Sequence, residues 1–319
     1  MIWRDLRFAG VLGINSRNSS YTLRWNRRAL YPHVDDKLVT KQLCVAAGIP
    51  IPRLLAVART HFELRELRGI LETLDSFVLK PARGALGNGI VVVLERQGER
   101  WLRSGGRLLG IEDLLYHAAG VISGLYALAG QPDVAMVEER LELHPDLHRV
   151  SFEGVPDCRV IVFRGIPVMS MIRLPTHRSA GRANLHQGAI GAGIDLGSGR
   201  TVHAILHDAP VRLHPDTEEP VVGVQVPQFD RILEIAVRAT DQSGLGYLGA
   251  DIVVDARYGP VVLELNARPG LSIQAANRAG LVPRLDAVNA QWRPGLGVAE
   301  RVALGRAIAL ANPPCEARS

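Results

Sequence analysis

Two runs of apolar, mostly β-branched residues, 252–254 and 261–263, flank the short turn Ala256-Arg257-Tyr258-Gly259 inside GADIVVDARYGPVVLELNARPG (249–270). Such runs form strands, and the turn folds them into an antiparallel hairpin. Val261, Val262, Leu263 and Leu265 make both faces of the second strand apolar. That pattern belongs inside a covered sheet and not to an edge hairpin with a solvated face. Pairing Asp255 with Pro260 places Asp251 directly opposite Glu264, and the side-chain period of two puts Asn266 on the face of Glu264. Facing carboxylates repel, and burial makes the repulsion costly unless a positive charge joins them. The hairpin therefore points to a metal or a charge-paired site. Oxygen donors from Asp251, Glu264 and Asn266 suit a hard cation such as Mg²⁺.

A second stretch, FVLKPARGALGNGI (77–90), begins as a buried strand, reaches Lys80, and opens into a loop with Gly84, Gly87 and Gly89. Glycine lets backbone N–H groups turn toward an anion. A lysine beside such a loop suggests phosphate, although a flexible hairpin without chemistry has the same appearance. No Gly-Lys-Ser/Thr follows and a strand comes next, so this is not the Walker loop. Lys80 ends its strand at the loop, and its head group is expected near solvent.

Of 319 residues, 47% are hydrophobic and 22% charged, which is enough apolar material for a large core split over two lobes. The net charge of +5 fits an acidic ligand such as a nucleotide. The basic residues are scattered and no aromatic–basic module stands out, which argues against nucleic acid as the substrate. Three cysteines, Cys44, Cys158 and Cys315, lie far apart with no CxxC, so neither a disulfide scaffold nor a zinc site is expected. No apolar run reaches the roughly 18 residues of a membrane span, and the N-terminus lacks a signal-peptide core. A cytoplasmic protein is the expectation, and a homo-oligomer is left open.

Along the chain, residues 1–35 read as an arm or loop. Asp35-Asp36 cap a helix stopped by Gly48, and further helices are expected over 61–74, 111–130, 228–243 and 298–310. Strands are expected at 77–80, 89–95 and 135–141, with a hairpin of 157–163 and 167–174 around Arg164-Gly165. The glycine-rich stretch 179–199 reads as a long loop, and long loops in compact proteins tend to be functional. Helices and strands in mixed order give an α+β class. The expected division is an arm (1–35), a first lobe (36–135), a second lobe with the carboxylate hairpin (136–311) and a frayed tail (312–319).

The order of DDKLVTKQL, FVLKPARGALGNGI, MVEERL, DCRVIVFRGIPVMSMIR, GRANLHQGA, GADIVVD and LELNARPGL resembles the ATP-grasp superfamily from Asp36 to about Leu281. RANLHQG and LELNARPGL are similar to motifs of its RimK-like α-L-glutamate ligase branch, and to bacterial sugar-transfer-associated ATP-grasp proteins. The resemblance implies two α+β lobes clasping ATP, with a truncated N-terminal segment. It assigns Lys37, Lys80, Gly84, Gly87 and Gly89 to the phosphates, the stretch Glu138-Glu139-Arg140-Leu141 to adenine, and Asp157 to the ribose. It makes Asp251, Glu264 and Asn266 the ligands of Mg²⁺, with Mn²⁺ as a substitute.

The implied activity is carboxylate–amine ligation through an acyl phosphate. The expected carboxylate is L-glutamate or a similar acidic amino acid, and the acceptor an amine or peptide. Arg173 and Arg268 would hold the transferred phosphate or the carboxylate, and Asn184 would orient the acyl phosphate or the metal. His186 stands beside Asn184, although lone loop histidines are more often structural. Two departures bear on the substrate. About 35 residues precede the DDK helix, where the superfamily usually has a full α/β domain, and Gln187 stands where the glutamate ligases carry arginine. The competing reading is a nucleotide-binding accessory protein of a peptide or cell-surface polymer pathway without ligase activity.

Overall fold

Two separate antiparallel sheets organise the chain. The computed structural model describes residues 10–84, 87–127 and 130–314. Ala85 and Leu86 of the glycine stretch, part of the expected helix over 111–130, the first nine residues of the arm and most of the tail lie outside them. The chain divides into two compact units. The smaller takes in Asp36–Leu38 and Pro52–Glu142, and the larger holds the remainder.

The smaller unit is a six-stranded sheet: β1 (Leu54–Ala58), β2 (Phe77–Pro81), β3 (Val91–Gln97), β4 (Arg100–Arg103), β5 (Leu108–Leu109) and β6 (Ala135–Glu138), in the order β1-β6-β2-β3-β4-β5. Helices Leu64–Leu71 and Ile111–Ile122 supply Leu67, Leu71, Leu114, Ala118 and Val121 to a core with Phe77, Leu79, Val93 and Trp101. Trp101 is buried yet keeps its indole N–H satisfied by the Leu74 carbonyl at 2.9 Å.

The larger unit is a seven-stranded sheet: β7 (Asp157–Phe163), β8 (Ile166–Leu174), β9 (Ile190–Ile194), β10 (Thr201–Leu206), β11 (Ala209–Pro210), β12 (Tyr247–Asp255) and β13 (Gly259–Asn266), in the order β11-β10-β9-β8-β7-β12-β13. Both faces are covered, which is why β7 and β12 are buried at every position. Alternate residues serve different cores. Cys158, Val160 and Val162 meet the helix Phe229–Ser243 side through Ile232, Leu233 and Ala236. Ile161 and Phe163 face the other core, with Ile273, Leu281 and Leu285. Gly244, at φ +69°, ends the long helix in the left-handed conformation that glycine adopts without strain.

The stretch 179–199 differs from the expected loop, because β9 lies inside it and pairs with both β8 and β10. Its sequence, IGAGI, carries the glycines that hide a strand from propensity. The helix Ile273–Asn277 crosses so closely that a Cβ on Gly193 would stand 2.4 Å from the Ala276 carbonyl oxygen. The N-terminal segment also differs from a loose arm. Leu12 and Tyr21 are buried, and Tyr21 packs edge-on against Phe163 with centroids 5.5 Å apart. Gln274 brackets Leu12, accepting from its N–H at 2.8 Å and donating to its carbonyl at 3.1 Å.

Candidate functional site

In the smaller unit, β2 delivers Lys80 opposite Met136 of β6, one strand step from Glu138. The ammonium meets Glu138 Oε2 at 2.6 Å, and both side chains are buried. The expected solvent-facing head group is therefore corrected: the cross-strand carboxylate draws it inward. Lys37 Nζ donates to the Gly84 carbonyl at 2.8 Å, and the Lys37 N–H donates to Ala82 O at 3.0 Å. Two lysines are thus fixed around the start of the glycine stretch. Gly84 packs so tightly on Pro81 that a Cβ would fall 2.2 Å from its Cγ, and Gly87 and Gly89 have φ of +77° and +73°.

Sequence reasoning missed the anchor at the far end of that stretch. His117 Nε2 donates to the Gly89 carbonyl at 2.8 Å, and the Tyr126 hydroxyl meets His117 Nδ1 at 3.1 Å. Burial pulls the His117 pKa below its ordinary value, although the Gly89 bond opposes this. Of the adenine-assigned run, Glu138 closes β6, and Glu139 N–H donates to Arg53 O at 2.9 Å. Arg140 follows, half-buried, and Leu141 is buried.

In the larger unit, a row of charged residues crosses four strands: Arg173 on β8 faces Asp157 on β7, Arg159 on β7 faces Asp251 on β12, and Asp251 faces Glu264 on β13. The Asp251–Glu264 pairing is the one read from the sequence, but the route to it is different. The turn closes with Asp255 opposite Gly259, and a bulge at Asp251/Ile252 makes up the missing residue. Arg159 was not singled out from the sequence. Its signal was its place two residues after Asp157, on the same face of one strand.

Arg159 holds Asp251 at both oxygens, at 2.8 and 2.6 Å. Arg173 reaches Asp157 at 2.5 and 2.6 Å and also Asp251 Oδ2 at 2.8 Å. The two carboxylates respond oppositely. Burial pushes Asp157 up to about 6 against the pull of Arg173, with Asp251 adding repulsion. Burial acts on Asp251 too, but Arg159 and Arg173 together outweigh it and hold that carboxyl well below the usual range. Asp251 bonds to two guanidiniums and also gains from a side-chain hydrogen bond with Glu264, whereas Asp157 bonds to one guanidinium.

Glu264 and Asn266 lie half-buried at alternate positions of β13. Their oxygens suit a hard cation. Asp251 is the least available of the three, because guanidiniums already bond to both of its oxygens. Among the described residues, no three His, Cys, Asp or Glu side chains are placed together to hold a metal. Asn266 Oδ1 accepts from the Arg268 N–H at 3.0 Å, and the Arg268 side chain is exposed, 5.1 Å from the Tyr31 ring centroid. Asn184 caps the short turn Leu185–Gln187, accepting from the His186 N–H at 3.0 Å. The structure thus joins Asp157, Arg173, Asp251 and Glu264 in one cluster. It ties Asn266 to Arg268 and Asn184 to His186.

A family model described as sugar-transfer associated ATP-grasp matches residues 16–290. No curated protein matches the chain. Among solved structures it is similar to the ATP-grasp ligase PsnB complexed with a minimal precursor, at 16% identity over 84% of this chain and 64% of that one, with a TM-score of 0.44. It therefore spans less than two thirds of the PsnB chain. It is also similar to a RimK domain ATP-grasp protein from Sphaerobacter thermophilus (15% identity, 89% and 70% covered, TM-score 0.44). A third likeness is to phosphoribosylamine–glycine ligase from Thermotoga maritima (17%, 77% and 50%, TM-score 0.45). No helix among the described residues is long and apolar enough to cross a membrane.

Proposed function

The chain belongs to the sugar-transfer associated ATP-grasp family, and from that membership we propose that it is an ATP-dependent carboxylate–amine ligase. Its fold is the α+β ATP-grasp fold. The observation that carries the activity is the row of charges Arg173, Asp157, Arg159, Asp251 and Glu264, set side by side across a sheet whose strands are mostly apolar. A purely structural sheet has no use for five ionisable side chains in a row, since removing charge from water is costly.

In the proposed reaction a carboxylate oxygen attacks the γ-phosphorus of ATP, and ADP leaves. The amine nitrogen then attacks the acyl phosphate carbon and loses a proton, and phosphate departs with the former carboxylate oxygen. The protein's share is to orient reactants and neutralise charge. Lys80, oriented by Glu138, and Lys37, oriented by Gly84, bind phosphate oxygens. Gly84, Gly87 and Gly89 let backbone approach them, and the run 138–141 offers backbone groups to adenine. Asp157 is better used to aim Arg173 than to hold a ribose, because both its oxygens accept from that guanidinium. Arg173 and Arg268 receive the transferred phosphate or the carboxylate, and Asn184 orients it. Mg²⁺ or Mn²⁺ at Glu264 and Asn266 would supply charge neutralisation on the phosphates.

We take L-glutamate or a similar acidic amino acid as the carboxylate and an amine or peptide as the acceptor. What supports this is the exposed run His177, Arg178 and Arg182 ahead of Asn184, where a second carboxylate would find charge-assisted partners. The occupied oxygens of Asp251 favour one other reading, a nucleotide-binding accessory protein without turnover. Phosphate release from ATP and Mg²⁺ with single amino acids and a pool of amines separates these. Stimulation by glutamate or aspartate supports the full reading. Stimulation only by neutral carboxylates retains the ligase and rejects the acidic substrate. No release with any pool leaves the accessory protein.

A further inference from the structure

Three side chains of the N-terminal segment meet on one short turn more than 230 positions away. Arg17 NH1 donates to the Pro269 carbonyl at 3.0 Å and to the Arg268 carbonyl at 3.5 Å. Asn26 Nδ2 donates to Ala267 O at 3.4 Å and to Tyr247 O at 2.7 Å, while its Oδ1 accepts from the Tyr247 N–H at 2.9 Å. The Tyr31 ring lies beneath the Arg268 guanidinium, 5.1 Å from Cζ. Each carbonyl from Ala267 to Pro269 therefore has a donor from this segment, and the one charged side chain of the turn has an aromatic face from it.

Packing alone does not explain the arrangement. Leu12, Tyr21 and Trp25 already anchor the segment on the apolar core. Arg17 and Asn26 are buried, at 8% and 3% exposed, and Arg17 sits on a six-residue π-helical turn, Arg17–Thr22. Such turns are rare and cluster at functional sites. Among the described residues, the hydrogen-bond partners of Arg17 are neutral oxygens: the two carbonyls and Asn18 Oδ1, at 3.1 and 2.8 Å. A buried guanidinium without a carboxylate is costly. The Arg17 guanidinium lies against the Arg268 backbone, and the like charge of the Arg268 side chain disfavours it further. Two like charges on one turn favour an anion there.

We propose that the N-terminal segment is a strap that aims Arg268, with Arg17, Asn26 and Tyr31 as positioning residues for the phosphate or carboxylate that Arg268 receives. This rests on the role given to Arg268 above. The strap fixes the backbone from Ala267 to Pro269, and the Tyr31 face holds the guanidinium on one side, since a cation is attracted to an aromatic face.

Two measurements on the full chain test it. The first is amide hydrogen exchange, which reports local opening and needs no turnover. Arg17→Met is expected to speed exchange of the Arg268 amide at least about ten-fold while leaving the β12 amides unchanged. The second is phosphate release from ATP. Tyr31→Ala is expected to lower kcat about ten-fold with KM for ATP unchanged, as misplaced reacting groups do. Tyr31→Phe keeps the ring face and should restore the rate. In an Arg268→Ala background, Tyr31→Ala should cost nothing further.

Unchanged exchange at Arg268, or equal losses from Tyr31→Ala in both backgrounds, overturns the strap. An Arg268→Ala variant with normal turnover removes the role of Arg268, and the aiming function falls with it. If the protein turns over no substrate, the ligase reading fails, and the exchange measurement alone decides whether the segment braces the turn.

Discussion

Arg159 grips both carboxylate oxygens of Asp251 from the neighbouring strand, with Nε to Oδ1 at 2.8 Å and NH2 to Oδ2 at 2.6 Å. Asp251 is fully buried, so this pair stands in low dielectric with Arg173 as the second cation. Breaking a buried pair from one side is costly, and Arg173, already bonded to Asp157, replaces Arg159 only in part. Arg159→Met should therefore lose about 3 kcal/mol of stability. Arg159→Met combined with Asp251→Leu should lose less than the single substitution. Urea unfolding of the three proteins checks this, and a loss below about 1 kcal/mol for Arg159→Met would contradict it.

The two carboxylates of the cluster should leave opposite marks on stability against pH. Asp157 is raised from 3.8 to about 6, so between those values the folded state holds a proton that the unfolded chain has lost. Its contribution to stability is present at low pH and lost as pH rises through about 6. Asp251 is lowered, so its contribution is present above the ordinary carboxylate range and lost only as pH falls through its depressed value. Asp157→Asn should flatten the stability profile between about pH 4 and pH 6 and leave the acid limb in place. Urea midpoints from about pH 3 to pH 8 read both limbs. Parallel profiles for the two proteins between pH 4 and pH 6 would oppose the assignment.

The pair with Glu138 ties the proposed phosphate role of Lys80 to the fold of the smaller unit. Because the pair is buried at 2.6 Å, Lys80→Met should weaken ATP binding and also cost about 3 kcal/mol of stability. Adding Glu138→Leu should return much of that stability without returning ATP affinity. Calorimetric titration with ATP alongside thermal unfolding separates the two effects. A double variant that binds ATP normally would remove Lys80 from the phosphates.

Glu264→Gln removes one of two facing carboxylates while keeping the size of the side chain. The amide can keep a hydrogen bond to Asp251 while removing one negative charge from the row, so the melting temperature of the metal-free protein should rise by about 2 °C. Turnover in Mg²⁺ should fall by about 100-fold or more if Glu264 is a ligand. A higher melting temperature with normal turnover would make the charge row structural and the hairpin no metal site.

How much of this was legible in the sequence depended on which physical signal each segment carries. The β12–β13 hairpin was plain, because β-branched runs around a turn leave few alternatives. The facing of Asp251 and Glu264 was found although the assumed turn was one residue off, since the bulge restored the register. The strand β9 was hidden because Gly193 answers to a helix crossing above it and Gly191 to the Leu185 side chain, and no strand propensity records those contacts. The packed N-terminal segment was hidden for a related reason. Arg17, Asn26 and Tyr31 are polar or amphipathic and find their partners beyond residue 240, a distance no local pattern spans. Arg159 escaped notice because an arginine in an apolar strand declares a partner only once the neighbouring strand is known.

The central claim is the transfer of a carboxylate oxygen to phosphorus. The most direct test supplies L-glutamate labelled with ¹⁸O in its carboxyl groups, together with ATP, Mg²⁺ and an amine pool, and reads the mass of the phosphate released. The acyl phosphate route predicts one ¹⁸O in each phosphate formed, with release that depends on both glutamate and amine. Phosphate that carries oxygen from water alone, at a rate indifferent to the carboxylate, would mean simple ATP hydrolysis and would contradict the ligase.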